Sequence, residues 1–428
     1  MTARARVTVI TAGHPSTCPR MVKAADALAG AGFDVRLVCT RFIDWAVATD
    51  ARLIASRAWT PVIVDYHRRT APVFSQYARA RRRAALAIVA VAGAERGPWW
   101  AVTRSFSYVH PELVRAALAE PCDFFYGGTT GALAAVAAAA VRARRPYGLD
   151  FEDLHTAERE GPDARVQHAL ASRIESAIVG GASLLTASSH AIGAAYQERY
   201  GREVETLYNV FPLPSVRPVI EPRAGALRCY WFSQTISAGR GLELFVDAAA
   251  LAGVPIALEV RGREDGTYLA GLRARIAATA PRLTLDVRPP APPDQMVALA
   301  APHDIGLSLE LPTVENRNLC VSNKLLTYLP AGLAVIATDT LGMREVAPEL
   351  GAGLASVKPG DIAGLAHHLR RWHDDRAALA LAREDAWRAA ARRWHWEHPS
   401  QRDKLIDLVR SRLPAPGSRS PEPGARIT

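Results

Sequence analysis

The sequence predicts an α/β protein of two doubly wound domains, each with a parallel sheet covered by helices. Three observations point there. At 428 residues the chain exceeds what one ordinary core accommodates and suits two. Its beginning reads strand, helix, strand: Val7–Thr11, a helix from Pro19 to about Ala29, and Val35–Cys39, the unit from which parallel sheets grow. The same rhythm restarts at Leu227–Phe232, after a stretch punctuated by Pro212, Pro214, Pro218 and Pro222 that reads as a linker.

Local chemistry justifies each element of the first half. Pro19 suits the first helical position, where a missing N–H costs nothing. Met21, Val22, Ala25, Leu28 and Ala29 keep helical spacing, so one stripe packs on a sheet, and Gly32 closes the unit. Residues 40–120 carry little pattern. Cys122–Tyr126, Tyr147–Phe151, Ser183–Ser188 and Glu205–Tyr208 read as further strands, with helices over Thr130–Arg142, Arg165–Val179 and Ala191–Tyr200. Ligands of such sheets bind beyond the carboxyl ends of the strands. The loop holding Gly13, His14 and Pro15 therefore faces a crevice, and Asp150, Glu152 and Asp153 form the strongest carboxylate cluster at a strand end. Arg20 puts a cation in a first helical turn, against the dipole; it either touches a ligand or joins a surface ion pair.

In the second half, Leu227–Phe232 leads through a small-residue loop, Ser233–Gly239, into a helix from about Arg240 to Ala250. Strands follow at Ile256–Arg261, Leu283–Val287 and Ile305–Ser308, separated by helices Leu269–Ala278 and Asp294–Ala300. The segment Ser322 to Thr338 then reads as a helix capped by Ser322 or Asn323, a stop at Gly332 and a buried strand, Leu333–Ala337. Lys324 repeats the anomaly of Arg20. An anion docked at that turn explains it, because a helix start plus a lysine is a phosphate site; a lysine reaching to solvent is the alternative. Helices from Gly360-Asp361 onward end the chain, and Pro, Ser, Gly and Arg dominate after Pro414, which reads as a disordered tail.

Composition excludes several classes. Half the residues are apolar and no run approaches the roughly 20 apolar residues of a membrane helix; the alanine-rich stretches Ala84–Ala94 and Gly131–Val141 read as buried helices. Five scattered cysteines form neither a Cys-x-x-Cys pair nor a metal spacing, which suits reduced thiols in a cytoplasmic protein. No metal site is expected: there is no Asp-x-Asp at Asp304 and no His-Glu-x-x-His. The net charge of +10 does not imply nucleic acid, since basic stretches interleaved with aromatics are lacking. A peripheral contact with anionic membrane, at its inner face, explains the charge as well. Arg79, Arg81, Arg82 and Arg83 are the candidate surface for it, with a solvated helix face as the plain alternative.

The run Ser322-Asn323-Lys324-Leu325-Leu326-Thr327-Tyr328-Leu329-Pro330-Ala331-Gly332 resembles the donor segment of GT-B-fold glycosyltransferases, specifically the family 4 branch with a Ser-Asn-Lys-Leu signature. "CPRMVKAADALAGAGFDVRLV" near the start and "GGASLLTASSHAIGAAYQERYG" through "VETLYNVFP" extend the resemblance, which covers about Val7 to Lys404. It implies two facing Rossmann-like domains with a cleft between them and a C-terminal helix crossing back to the first. The expected boundaries are 1–212 for the acceptor-side domain, 213–390 for the nucleotide-sugar domain, 391–413 for the returning helices and 414–428 for the tail. It further implies retaining, metal-independent transfer of a sugar from a nucleotide-sugar co-substrate to a saccharide or lipid-linked acceptor, with no other cofactor.

On that resemblance Ser233, Gln234, Arg240, Ser322, Asn323, Lys324 and Glu345 bind the donor, with Arg240 and Lys324 on its diphosphate. Glu345 lies in a Gly-x-x-Glu turn; a structural role at a helix start is its alternative. Gly13, His14 and Arg20 line the acceptor side, and Asp150, Glu152 and Asp153 orient or activate substrate hydroxyls. The sequence departs from the family where two glutamates usually stand: here they are Leu319 and Thr327, with Glu310, Glu315, Asn316 and Asn318 nearby as substitutes. Two rivals follow, a nucleotide-sugar epimerase of the same architecture and a catalytically silent scaffold.

Overall fold

A computed structural model describes residues 4–413; the tail expected from 414 lies outside the described residues. The chain divides into two compact units. The first runs to Leu207 and resumes at Arg402, and the second is Tyr208–Gln401. Of the stretch 391–413 expected to return, only the part from Arg402 belongs to the first unit; Trp394 is buried in the second.

The first unit contains β1 (Arg6–Ile10), α1 (Pro19–Gly30), β2 (Asp34–Arg41), α2 (Asp44–Ala55), β3 (Thr60–Asp65), α3 (Pro72–Ala92), α4 (Trp99–Phe106), α5 (His110–Ala117) and β4 (Phe124–Gly128). It continues through α6 (Leu133–Ala143), β5 (Tyr147–Phe151), α7 (Ala164–Ile178), β6 (Leu184–Ala187), α8 (His190–Tyr200) and β7 (Glu205–Thr206). The strands are parallel in the order β3-β2-β1-β4-β5-β6-β7. β1, β4 and β5 are buried almost throughout, as strands covered on both faces must be.

The second unit holds β8 (Leu227–Ile236), α9 (Leu242–Ala252), β9 (Ile256–Glu264), α10 (Gly266–Thr279), β10 (Leu283–Arg288), α11 (Met296–Ala300), β11 (Ile305–Ser308) and α12 (Glu315–Leu319). Then come α13 (Asn323–Tyr328), β12 (Ala334–Thr338), α14 (Leu341–Val346), β13 (Leu354–Val357), α15 (Ile362–Asp374) and α16 (Arg376–Arg392). Its parallel order is β10-β9-β8-β11-β12-β13. Two apolar clusters, one around Trp231, Phe245 and Trp372 and one around Tyr230, Tyr328 and Trp394, fill its core. The last helix, α17 (Arg402–Arg410), belongs to the first unit and packs on α1.

Three sequence readings change. Ser233–Ile236 continues β8 rather than forming a loop, with an irregularity between Phe232 and Thr235 that shifts register against β9. Ala84–Ala94 is not a buried helix. Those residues end α3, where only Ala85 and Val89 are fully covered, while α6, the other alanine-rich stretch, is buried on nearly all sides. Finally, residues 40–120 hold a strand and four helices whose pattern was hidden because α2 to α5 are short or only half-covered.

Candidate functional site

In both sheets the strand order reverses once, between β1 and β4 in the first and between β8 and β11 in the second. At such a switch point the loops leaving the two strands part, and the opening beyond their carboxyl ends receives ligands.

Arg240 sits at that opening in the second unit. It precedes α9, whose N-cap is Gly241 in the left-handed region (φ 83°), without a side-chain cap on the first N–H groups. Gly241 must be glycine twice over. Besides its φ, a Cβ there would lie 2.3 Å from the Leu309 carbonyl oxygen. That contact presses the loop after β8 against the end of β11, so Arg240 comes beside the segment that carries Glu310. Among the described residues Arg240 has no hydrogen-bond or ion-pair partner, and in particular does not pair with Glu243.

Lys324 is buried and already has an anion. Its ammonium donates to Glu310 Oε1, while Glu310 Oε2 accepts from Ser308 Oγ at 2.9 Å and Oε1 from Ser322 Oγ at 3.4 Å. Burial pushes the Glu310 carboxyl up, but the Lys324 charge outweighs it and holds the group below the usual carboxylate range. Lys324 Nζ also lies 5.5 Å from the Trp231 ring centroid. The cap is resolved in favour of Ser322, whose side chain accepts from Lys324 N at 3.3 Å. Asn323 accepts from Asn209 Nδ2 at 3.0 Å instead. Glu345 lies in the last turn of α14, not at a helix start, and accepts from Tyr208 O–H at 3.0 Å. Ser233 and Gln234 project from β8. Leu319 and Thr327 are buried, the latter bonding back to the Asn323 carbonyl at 2.8 Å.

In the first unit, two of the predicted acceptor-side groups turn inward. Arg20 donates through Nε and Nη2 to the two oxygens of Asp150 at 2.6 and 2.7 Å, and through Nη1 to the Leu207 carbonyl at 2.7 Å. Asp150 also accepts from Thr186 Oγ1 at 2.5 Å and Tyr126 O–H at 3.2 Å, and it is fully buried. With both oxygens occupied, Asp150 and Arg20 tie α1, β4, β5 and β6 together, and the ion pair of Arg20 is buried rather than at the surface. His14 is equally committed. Its Nε2 accepts from the backbone N–H of Phe42 and of Ile43, each at 2.8 Å, which places the proton on Nδ1, donated to Asp50 at 2.5 Å. Gly13 is enforced by space, since a Cβ would fall 2.5 Å from Cys18 Sγ.

Glu152 and Asp153 follow the end of β5 and are half-buried. Burial, and then the charge of Asp153, raise the Glu152 carboxyl to about 7. Beside them His155 is buried, with Nδ1 3.3 Å from Glu175 Oε1. Burial draws its pKa down, but Glu175 and Glu158 more than offset this, to about 9. Among the described residues no three His, Cys, Asp or Glu side chains gather as metal ligands.

Solved structures name this architecture. HepE of Anabaena, in complex with UDP-glucose, matches at a TM-score of 0.60 and 15% identity, over 95% of this chain and 98% of its own. A TarM variant of S. aureus, in complex with fondaparinux, alpha-GlcNAc-glycerol and UDP, matches at 0.63 and 7% identity, over 95% and 99%. The fold is GT-B. A Listeria monocytogenes protein described as a UDP-N-acetylglucosamine 2-epimerase shares it at 0.51 and 11% identity, over 91% and 94%. No protein-family model matches the sequence, and no curated protein is significantly similar to it.

Within this GT-B chain, then, the structure gathers Arg240, Lys324, Ser322 and Glu310 at one switch point and turns Asp150, Arg20 and His14 into internal ties. Three pairings escaped the sequence reading: Asp150 as the counter-ion of Arg20, Glu310 as that of Lys324, and Asp50 as the acceptor for His14. Glu310 lies two residues beyond β11, and its place at the end of a switch-point strand was the signal available. Asp50, thirty-six residues from His14, carried none.

Proposed function

We propose that this protein is a glycosyltransferase of the family 4-like branch, moving a sugar from a nucleotide-sugar donor to a saccharide or lipid-linked acceptor. The observation that carries the reading is Arg240, a cation without a partner among the described residues at the uncapped start of α9, on the switch point that also holds Lys324. Leaving-group charge on a diphosphate grows during transfer, and fixed cations with free N–H groups stabilise it there more than in the ground state. Arg240 meets the diphosphate directly. Lys324 shares its charge between that ligand and Glu310, and Ser322, Asn323, Ser233, Gln234 and Glu345 complete the donor side. Glu152 and Asp153 orient hydroxyl groups of the acceptor; the transfer retains anomeric configuration, as the resemblance implies.

Arg240→Ala tests this. It should raise the KM for the donor about tenfold, the worth of one charge-assisted contact, with the melting temperature unchanged. UDP and GDP are screened first by thermal shift; a protein stabilised by neither, and by none of their sugars, is the silent scaffold. The epimerase reading, favoured by the fold shared with the Listeria protein, requires conversion of the donor sugar with no acceptor present. Incubation with donor alone separates it from transfer.

A further inference from the structure

Helix α3 exposes an apolar stripe that nothing among the described residues of its unit covers. Val73, Tyr77, Ala80, Ala84, Ala87 and Val91 recur at alternating spacings of four and three residues, and all are exposed, Val73 by 80% and Val91 by 92%. The stripe runs the length of a 21-residue helix, about 31 Å. At its C-terminal end the chain turns through Gly97, whose Cβ position would lie 3.7 Å from Val89, and presents Trp100, 47% exposed, from α4. An apolar helix face this long is unusual on an unpartnered surface.

The surrounding charge is one-sided. Residues 66–106 contain eight arginines against one glutamate and no aspartate or lysine, a net +7 of the chain's +10. Not all of it faces out. Arg81 is bound bidentately to Glu112, and Arg82 is held by the Ser105 carbonyl and stacked on Tyr108, so half of the expected four-arginine cluster is internal. Arg68, Arg69, Arg83 and Arg96 are exposed, and the Arg104 guanidinium lies 5.3 Å from the Trp100 ring centroid. A second copy of the chain would bring the same positive charge against this one, with a single acidic residue in the segment to relieve it. An apolar stripe with exposed aromatics, flanked by arginines with Glu95 as the segment's one acid and Asp44 paired to Arg69, instead matches the interfacial zone of an anionic bilayer.

We infer that the exposed face of α3, with Trp100 and the arginines beside it, docks on an anionic lipid surface. Val73, Tyr77, Val91 and Trp100 enter the headgroup boundary, and Arg83, Arg96 and Arg104 meet lipid phosphates. No helix among the described residues is long and apolar enough to cross a membrane, so attachment by this face would be peripheral.

The test is co-sedimentation of the full chain with vesicles of phosphatidylcholine alone and of phosphatidylcholine with phosphatidylglycerol, without donor or acceptor, so the outcome is independent of the transferase reading. Expected is retention by the phosphatidylglycerol vesicles, weakened by salt, and reduced roughly tenfold by Tyr77→Asp with Val91→Asp. Arg83→Ala should reduce it about fivefold. These positions are exposed, and an unchanged melting temperature verifies the fold; Ala84→Glu serves if the double variant misfolds. Equal binding by wild type and the apolar-face variants would overturn the proposal, as would indifference to phosphatidylglycerol. A dimer in sedimentation velocity that Tyr77→Asp with Val91→Asp dissociates would also overturn it, assigning the face to a second copy.

Discussion

Lys324 donates to Glu310 across the end of β11, and the pair shares Ser308 and Ser322 as further hydrogen-bond partners. A lysine in a first helical turn is therefore not a bare cation awaiting a phosphate; its charge is balanced before any ligand arrives. Arg240, which has no such partner, is the group whose charge is free for a ligand.

This pairing separates two effects of substitution. Lys324→Ala strands a mostly buried carboxylate and should cost roughly 3 kcal/mol, lost progressively less as acid protonates Glu310. Lys324→Met combined with Glu310→Gln should restore most of that stability without restoring donor affinity. Urea unfolding gives the first quantity and nucleotide titration the second. Full donor affinity in the double variant would remove Lys324 from the donor site.

Arg20 and Asp150 should behave as one structural unit. Removing either partner leaves an uncompensated charge at a fully buried position, at a cost of about 3–5 kcal/mol. Arg20→Met with Asp150→Leu should lose much less than the two single losses added. Kinetics of the folded fraction are the second readout: an acceptor KM altered while stability is kept would return Arg20 to the acceptor side.

These cases show what the sequence can and cannot convey. Strands such as Tyr147–Phe151 and Ile305–Ser308 were legible to the residue, because strands covered on both faces are short, mostly apolar runs between polar or turn residues. A helix start at Ser322 or Asn323 and a left-handed turn at Gly332 were legible because capping is local chemistry, although α13 itself already ends at Tyr328. The roles of Arg20, His14 and Lys324 were not. Each depends on a partner 130, 36 or 14 residues away, and spacing along one element cannot distinguish a cation awaiting a ligand from one already paired. For Arg240 the open alternative was an ion pair with Glu243; among the described residues that pair does not form, and Gly241 turns the chain through a left-handed residue between Arg240 and α9.

His14 offers a test of tautomer. Its Nε2 takes two backbone N–H groups and its Nδ1–H goes to Asp50, so no phenyl or amide side chain reproduces all three bonds. His14→Phe should lower stability by roughly 3 kcal/mol or more through unpaired buried groups. His14→Gln should recover only part of it. Nitrogen chemical shifts of the ring, showing Nδ1 protonated at neutral pH, would check the assignment directly; protonation at Nε2 would contradict the two amide bonds.

His155 sets a pH dependence on the alkaline side. Its folded pKa, about 9, stands above the ordinary 6.5 because Glu175 and Glu158 hold the proton against the pull of burial. A histidine whose pKa rises on folding binds more protons in the native state between those two values, so its stabilisation is complete below 6.5 and declines as pH climbs through 9. The loss should be on the order of 1–3 kcal/mol. Glu152 acts at lower pH with the same sign. Its carboxyl is raised from 4.5 to about 7, so the native state prefers it protonated and that share of stability fades as pH rises through that interval. Denaturant midpoints measured across both intervals should fall in two steps. His155→Gln should abolish the upper step and leave the lower, Glu152→Gln the reverse. A midpoint that rises between 6.5 and 9 would place the charge balance around His155 elsewhere.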